Sequence, residues 1–379
     1  MRNPNALMEL YVHIPFCIKK CDYCDFLSGP ANAETQNNYV EALLTEISKS
    51  GDFSEREIST VFIGGGTPSA VQSENIIRIM EALRRRFVFS DNAEITMEAN
   101  PGTLTSEKLK DYREAGINRL SIGLQSADDG ELRALGRIHT YQEFLESYHF
   151  ARAAGFDNIN IDLMSAIPGQ TRKSWNRNLK TVADLKPEHI SAYSLIVEEG
   201  TPFAKRKLDL PGEDEEYQMY EDTARILGEY GYLQYEISNY ARKGYECRHN
   251  KGYWMRTDYL GLGLGAASLI GGDTRWNNTS DMQEYLQNSG SLQKIRKDTV
   301  ILTRKEQQEE FMFLGLRMTE GVSEADFQEC FGVPLLKVYG ESLQKYKNME
   351  LLENKNGFWR LTPRGIHVSN WILADFLQD

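Results

Sequence analysis

Apolar residues alternate with polar ones at Leu10, Val12 and Ile14, a period of two that predicts a strand running into a loop at Pro15. The period then changes: Tyr39, Ala42, Leu43 and Ile47 recur at helical spacing within residues 33–50. Thr60–Ile63 is a short buried-type strand that ends at Gly64-Gly65-Gly66-Thr67-Pro68, and a helix carrying Val71, Ile76, Ile77 and Ile79 follows. The same exchange repeats down the chain. Strands are predicted at Glu94–Met97, Asn118–Leu124, Asn158–Leu163 and His189–Leu195. Helices are predicted at Ser106–Ala115, on either side of Gly136-Arg137, and at Thr171–Leu185. About six strand–helix alternations over the first 230 residues call for a parallel sheet with helical crossovers, either an open α/β sheet or a barrel.

Past Tyr232 the regularity breaks. Residues 238–282 are rich in Gly, Asn, Tyr and Trp, a composition that suits a long irregular segment pinned over something else. A new section starts near residue 303, with helices at Arg304–Met318, Glu324–Phe331 and Leu335–Tyr346. It continues with a hairpin at Leu351–Leu361 turning on Asn354-Lys355-Asn356-Gly357, and a last helix to Phe376. Helices followed by a two-stranded wing predict a winged-helix-like domain. DNA binding is the usual role of such a domain, but no basic recognition face is evident, so a structural or docking role is expected. The boundaries are therefore a core at 1–235, an irregular cap at 236–302 and a C-terminal domain at 303–379.

Bulk composition adds limits. At 379 residues the chain is long enough for one large domain and a smaller one. The 43 Lys and Arg against 55 Asp and Glu give a formal charge of −12, which argues against a nucleic-acid partner. The N-terminal residues hold no apolar signal region, and no run approaches the ~18 apolar residues of a membrane span. With five cysteines and no secretory signal, the expected location is the reducing cytoplasm.

Three of those five cysteines fall within eight residues, as Cys17-x3-Cys21-x2-Cys24. Thiolate is the soft ligand that selects zinc, copper(I) or an iron–sulfur cluster. A structural zinc site wants four protein ligands, usually as two pairs. Here Cys247 and Cys330 stand alone, so zinc would need His13 to complete it. A [4Fe–4S] cube held by three cysteines instead leaves one iron open to a small molecule. Polar residues also gather at the predicted strand ends, at Gly64–Gly66, Glu98, Gln125 and Asp162, where the loops of a parallel α/β fold build a site.

Tyr11–Cys24, the Gly64–Pro68 turn, Gly123-Leu124-Gln125, the Arg137 turn and Asn160-Ile161-Asp162-Leu163 together resemble the radical S-adenosylmethionine (radical SAM) family of oxygen-independent coproporphyrinogen III oxidases and their relatives. The resemblance covers essentially the whole chain. It implies a partial, open (β/α)6 barrel with the cap and winged-type domain behind it. It implies that Cys17, Cys21 and Cys24 ligate a [4Fe–4S] cluster, within the loop 11–26, whose open iron chelates SAM. Tyr11, Gly65, Gly66 and Thr67 would lie against the methionine end of SAM and Glu98 would take its amino group. Gln125, Arg137 and Asp162 would line the rest of the cofactor pocket. One electron from the cluster would cleave SAM to methionine and a 5′-deoxyadenosyl radical if the family's chemistry is retained.

Two departures bear on activity. The oxidases of this family carry a fourth cysteine two positions after the third, where this chain has Phe26, and their long N-terminal extension has no counterpart before the first strand. The chain has instead an HNxxYW run, His249 to Trp254, and Tyr193 followed by Glu199-Gly200-Thr201-Pro202, which resemble the heme-chaperone branch of the group. That branch implies heme binding, transfer to an acceptor protein, and no coproporphyrinogen III dehydrogenase activity. Peripheral membrane association with acceptors and a dimer are further expectations attached to it. The alternative is a porphyrin-directed radical SAM enzyme, and a third reading is a scaffold that binds partners through the winged domain. Within 247–254, Cys247 and His249 offer two iron-ligand types beside Tyr253 and Trp254. His249 is carried as a heme contact, against the alternative that it and Trp254 pin the segment by hydrogen bonding and burial.

Overall fold

The computed structural model describes residues 7–51, 53 and 55–377. Six parallel strands form its centre in sequence order: β1 (Met8–Ile14), β2 (Glu57–Gly65), β3 (Val88–Ala99), β4 (Arg119–Gln125), β5 (Ile159–Ser165) and β6 (His189–Ser194). Helices α1 (Ala33–Lys49), α2 (Ser73–Arg86), α3 (Ser106–Glu114), α4 (Asp129–Ala134), α5 (Tyr141–Ala153), α6 (Arg172–Asp184) and α7 (Glu213–Glu229) make the crossovers. Side chains of a strand alternate between faces, and here the two faces differ in chemistry. Leu10, Val12, Val61, Ile63, Ile95, Met97, Leu120, Ile122, Ile159, Ile161 and Ile190 belong to the main apolar core, which includes Leu43, Ile79, Leu109, Phe144 and Leu179 of the helices. The intervening positions are Tyr11, Phe62, Glu98, Arg119, Ser121, Asn160, Asp162 and Tyr193, and these line a cavity on the concave side. The apolar face builds the fold and the polar face builds the site.

The barrel is open: β1 and β6 each pair outward with further strands rather than with each other. Beyond β6 lie β7 (Leu233–Gln234) and β8 (Asn239–Ala241), with β8 antiparallel to β6. Beyond β1 lie β9 (Tyr259–Leu262), parallel to it, then β10 (Ala267–Ile270), β11 (Thr274–Asn278) and β12 (Arg296–Ile301). The segment expected to be an irregular cap is thus largely a sheet extension. A carboxylate on α1 ties it down: buried Glu46 accepts from Tyr285 Oη (2.5 Å), Asn278 Nδ2 (2.6 Å) and Gly263 N–H (2.8 Å). Burial pushes the Glu46 carboxyl up to about 7, and those three donors oppose the shift.

The C-terminal region has its own core around Met312, Phe327, Tyr339, Leu343 and Trp359. Helices Arg304–Gly315, Glu324–Phe331 and Leu335–Asn348 pack with a three-stranded sheet, β13 (Val322–Ser323), β15 (Phe358–Leu361) and β14 (Leu352–Lys355), in the spatial order β13-β15-β14. The wing turns at Asn356-Gly357, both at positive φ, as a two-residue hairpin of type I′ requires. Glu310 anchors this region to the barrel through Arg256 (2.9 Å) and Arg275 (3.0 Å), and Arg317 stacks over Trp254 at 4.4 Å. Among the described residues no helix is long and apolar enough to cross a membrane.

Candidate cofactor site

The cysteine loop hangs from the carboxyl end of β1 and is closed at its base by backbone bonds, Cys17 N–H to Gly29 O (3.1 Å) and Gly29 N–H to Pro15 O (3.0 Å). Its middle is clamped at Asp22, whose N–H donates to Leu135 O (3.3 Å), whose carbonyl accepts from Phe203 N–H (3.1 Å), and whose carboxylate pairs with Arg206 at 2.7 Å. The glycine turn after β2 lies directly against this loop. Gly66 N–H donates to Ile14 O (2.9 Å) and Thr67 N–H to Phe16 O (2.6 Å). A Cβ on Gly66 would stand 2.5 Å from Phe16 O, so only glycine lets the two backbones meet.

Cys17, Cys21 and Cys24 are all half-buried, and burial pushes the Cys17 and Cys24 thiols up. Arg137 Nη1 reaches Cys21 Sγ at 3.6 Å, while its Nη2 donates to Gly123 O (2.5 Å) and Asn100 Oδ1 (2.7 Å). Asn100 Nδ2 in turn donates to Thr67 Oγ1 (2.7 Å), which joins the ends of β2, β3 and β4 to the cysteine loop. The zinc alternative does not fit this arrangement. His13 has both ring nitrogens engaged, with Tyr11 Oη and Leu27 O, each at 2.9 Å. A cube spreads its ligands over separate corners and suits three thiols spaced along one loop.

Deeper in, Glu98 Oε2 accepts Gly65 N–H at 3.0 Å. Burial, and after it the Asp162 carboxylate, pushes Glu98 up to about 8. Asp162 is also raised by burial, and it accepts from Asn160 Nδ2 (2.7 Å) and Ser121 Oγ (3.3 Å). Two buried carboxylates facing a cavity are a receptor for a cation, because a positive ligand offsets the desolvation that raises them. Gln125 ends β4 at positive φ (74°), and its Oε1 accepts Tyr193 Oη at 2.9 Å. Arg137 Nε is buried without a partner, a donor left for a ligand to satisfy. The residues present therefore fit both a cluster and a SAM-sized cofactor.

Tyr11, Cys17, Cys21, Cys24, Gly65, Gly66, Thr67, Glu98, Gln125, Arg137, Asp162 and His249 all line one cavity of about 520 Å³. Its wall also includes Asn100, Arg119, Ser121 and Ser191, which sequence reasoning missed, and Asn160 and Tyr193, which it quoted within motifs without a role in the site. The signal was available: Ser121 and Arg119 lie four and six positions before Gln125, and Asn160 two before Asp162, so the period of two puts them on the same face.

His249 is the one expected contact whose geometry points elsewhere. Residues 248–254 are not irregular but form a helix, α8 (Arg248–Trp254), capped by buried Cys247. His249 is fully buried, with Nδ1 2.7 Å from Thr60 Oγ1 and Nε2 3.0 Å from Tyr253 Oη, and it stacks on Phe62 at 5.2 Å. Burial, with Arg119 adding to it, pushes its imidazole down to about 3. An axial ligand needs a free ring nitrogen, so this conformation supports the pinning role and not heme ligation by His249. Cys247 is buried as well, its thiol pushed up to about 12 by burial and its Sγ 3.7 Å from Glu94. Gly252 permits the close docking of α8, since a Cβ there would lie 2.0 Å from Glu9 Oε1. His249→Ala is expected to destabilise the protein by about 2–4 kcal/mol in chemical denaturation, by opening a cavity and orphaning Thr60 and Tyr253.

An open parallel sheet with a Cys-x3-Cys-x2-Cys loop at the carboxyl ends of its strands defines a radical SAM protein. The profile of the Radical SAM superfamily matches residues 11–182, and that of the HemN C-terminal domain matches residues 302–368. Membership of the superfamily implies SAM and a [4Fe–4S] cluster. Among solved structures, coproporphyrinogen III oxidase (HemN) from Escherichia coli superposes with a TM-score of 0.88 at 26% identity, covering 99% of this chain and 91% of that one. The heme chaperone HemW of Bacillus subtilis (strain 168) is 39% identical over 98% of this chain and 100% of its own length. That of Escherichia coli (strain K12) is 34% identical over 98% of each. The chain belongs to the family of heme chaperones HemW.

Proposed function

We propose that this protein binds heme and delivers it to acceptor proteins, while carrying a SAM-bound [4Fe–4S] cluster on Cys17, Cys21 and Cys24. The observation that carries the proposal is the end-to-end likeness to the heme chaperones, joined to Phe26 at the position where the oxidases have their fourth cysteine. When bound, the cluster supplies one-electron chemistry toward SAM. The protein's own part is to hold and orient. Glu98 and Asp162 offer carboxylates to the ammonium and ribose of SAM, and Arg137 holds the cysteine loop against Gly123 and Asn100. Tyr11, Gly65, Gly66 and Thr67 form the surface for the methionine end. Gln125, fixed by Tyr193, lines the remainder.

The test uses one anaerobically reconstituted sample. Heme is expected to bind near one per chain, and coproporphyrinogen III is expected to remain unconverted with SAM and reductant present. Robust decarboxylation of the porphyrinogen would overturn the proposal in favour of an oxidase.

A further inference from the structure

Resting on the heme-chaperone reading, we propose that the iron porphyrin seats across the mouth of the cofactor cavity, its ring against Phe26 and Ile196 and its propionates toward Lys19 and Lys20. The interior is the wrong place for a macrocycle. Its deeper wall carries Glu98, Gln125, Asp162, Asn160, Ser121 and Ser191, polar groups suited to SAM, and about 520 Å³ is the scale of one small-molecule ligand. The mouth adds exposed apolar side chains to charged ones.

Phe26 is 60% exposed and Ile196 is 68% exposed, on two different loops that border the same cavity. Isolated exposed apolar side chains need no explanation, but two large ones lining a single cavity mark a binding surface. Phe26 is fixed by its backbone, since its carbonyl accepts Ser28 N–H (2.7 Å) and Lys20 Nζ (2.8 Å), while its ring stands in solvent. That is a pre-set flat face. A porphyrin ring is the planar apolar body that would cover it, stacking on the aromatic side chain.

The charges set the orientation. Lys19 and Lys20 border the cavity on the cysteine loop, each with one carbonyl bonded, Gly136 O at 3.4 Å and Phe26 O at 2.8 Å. An ammonium has three donors, so each retains two for a carboxylate. Asp25 tempers the charge on this side, and Glu198 on the opposite loop repels carboxylates from the other. The two propionates are therefore directed to the lysines.

The experiment is heme titration by the Soret band on cluster-loaded protein, with iron content and SAM binding measured alongside. Phe26→Ala and Ile196→Ser are each expected to weaken heme about tenfold, the scale of losing a large apolar contact, with iron and SAM binding retained. The double change Lys19→Glu with Lys20→Glu should weaken heme similarly, yet leave the binding of heme dimethyl ester, whose propionates carry no charge, as in the parent. The seat is overturned if Phe26→Ala and Ile196→Ser both titrate like the parent. Parent protein that takes up no heme overturns the chaperone reading, and the seat with it.

Discussion

Replacing any one of Cys17, Cys21 or Cys24 with alanine is expected to remove most of the iron from anaerobically prepared protein, together with its brown colour and the band bleached by dithionite. The parent should hold close to four irons per chain. A cube held at three corners has no spare protein ligand: His13 is bonded on both nitrogens, and Cys247 is buried against Glu94. Cys330→Ala is the control, because that thiol is exposed on the C-terminal domain, and it should leave the iron unchanged. Gly66→Ala should reach the same loss by another route, since its Cβ would press on Phe16 O and push the cysteine loop away from the turn after β2. Colourless protein with one zinc per chain would contradict the assignment, and so would cysteine variants that keep their iron.

Glu98→Ala is expected to weaken SAM binding by roughly 1–3 kcal/mol, the scale of a lost hydrogen bond to a charged group, with cluster content nearly unchanged. The pH dependence is the sharper signature. Glu98 stands at about 8 rather than near 4.5, so below about 8 it is mostly protonated. Only its ionised form attracts an ammonium, and the α-amino group of a ligand stays protonated to about 7.7–8.0. SAM affinity should therefore rise between about pH 6 and pH 7.5 in the parent, approaching tenfold per unit. Glu98→Gln should bind weakly across that window with little slope. Calorimetry that finds Glu98→Ala equal to the parent, or a flat profile in the parent, would remove Glu98 from the SAM site.

How far the sequence carries the structure depends on how strongly each segment is patterned. The six central strands show apolar alternation, because their outer faces pack on helices, and the cysteine spacing needs no tertiary information. The strands at 239–301 escaped because they are three to six residues long and most carry no apolar alternation, as in Thr274–Asn278 and Arg296–Ile301. Runs that short are read as strands only when they are apolar throughout or alternate cleanly, as Thr60–Ile63 does and most of these do not. Segment 248–254 misled for a different reason. Its polar and aromatic residues look like ligands in one dimension, but His249 and Tyr253 are four apart on a helix and bond each other. The partner that completes the set, Thr60, is remote in sequence and meets His249 only when α8 docks on β2. Asn100 was hidden in the same way, since its role comes from Arg137 and Thr67 on other loops.

The most direct test of the chaperone account is hand-off. Heme-loaded, cluster-containing protein is separated from free heme and mixed anaerobically with a heme-free acceptor, and the Soret band of each protein is followed after they are parted. The expected result is loss of heme from this protein and its appearance in the acceptor, faster than from an equal amount of heme carried by serum albumin. Heme that stays bound to this protein, or that moves no faster than from the passive carrier, would contradict the account.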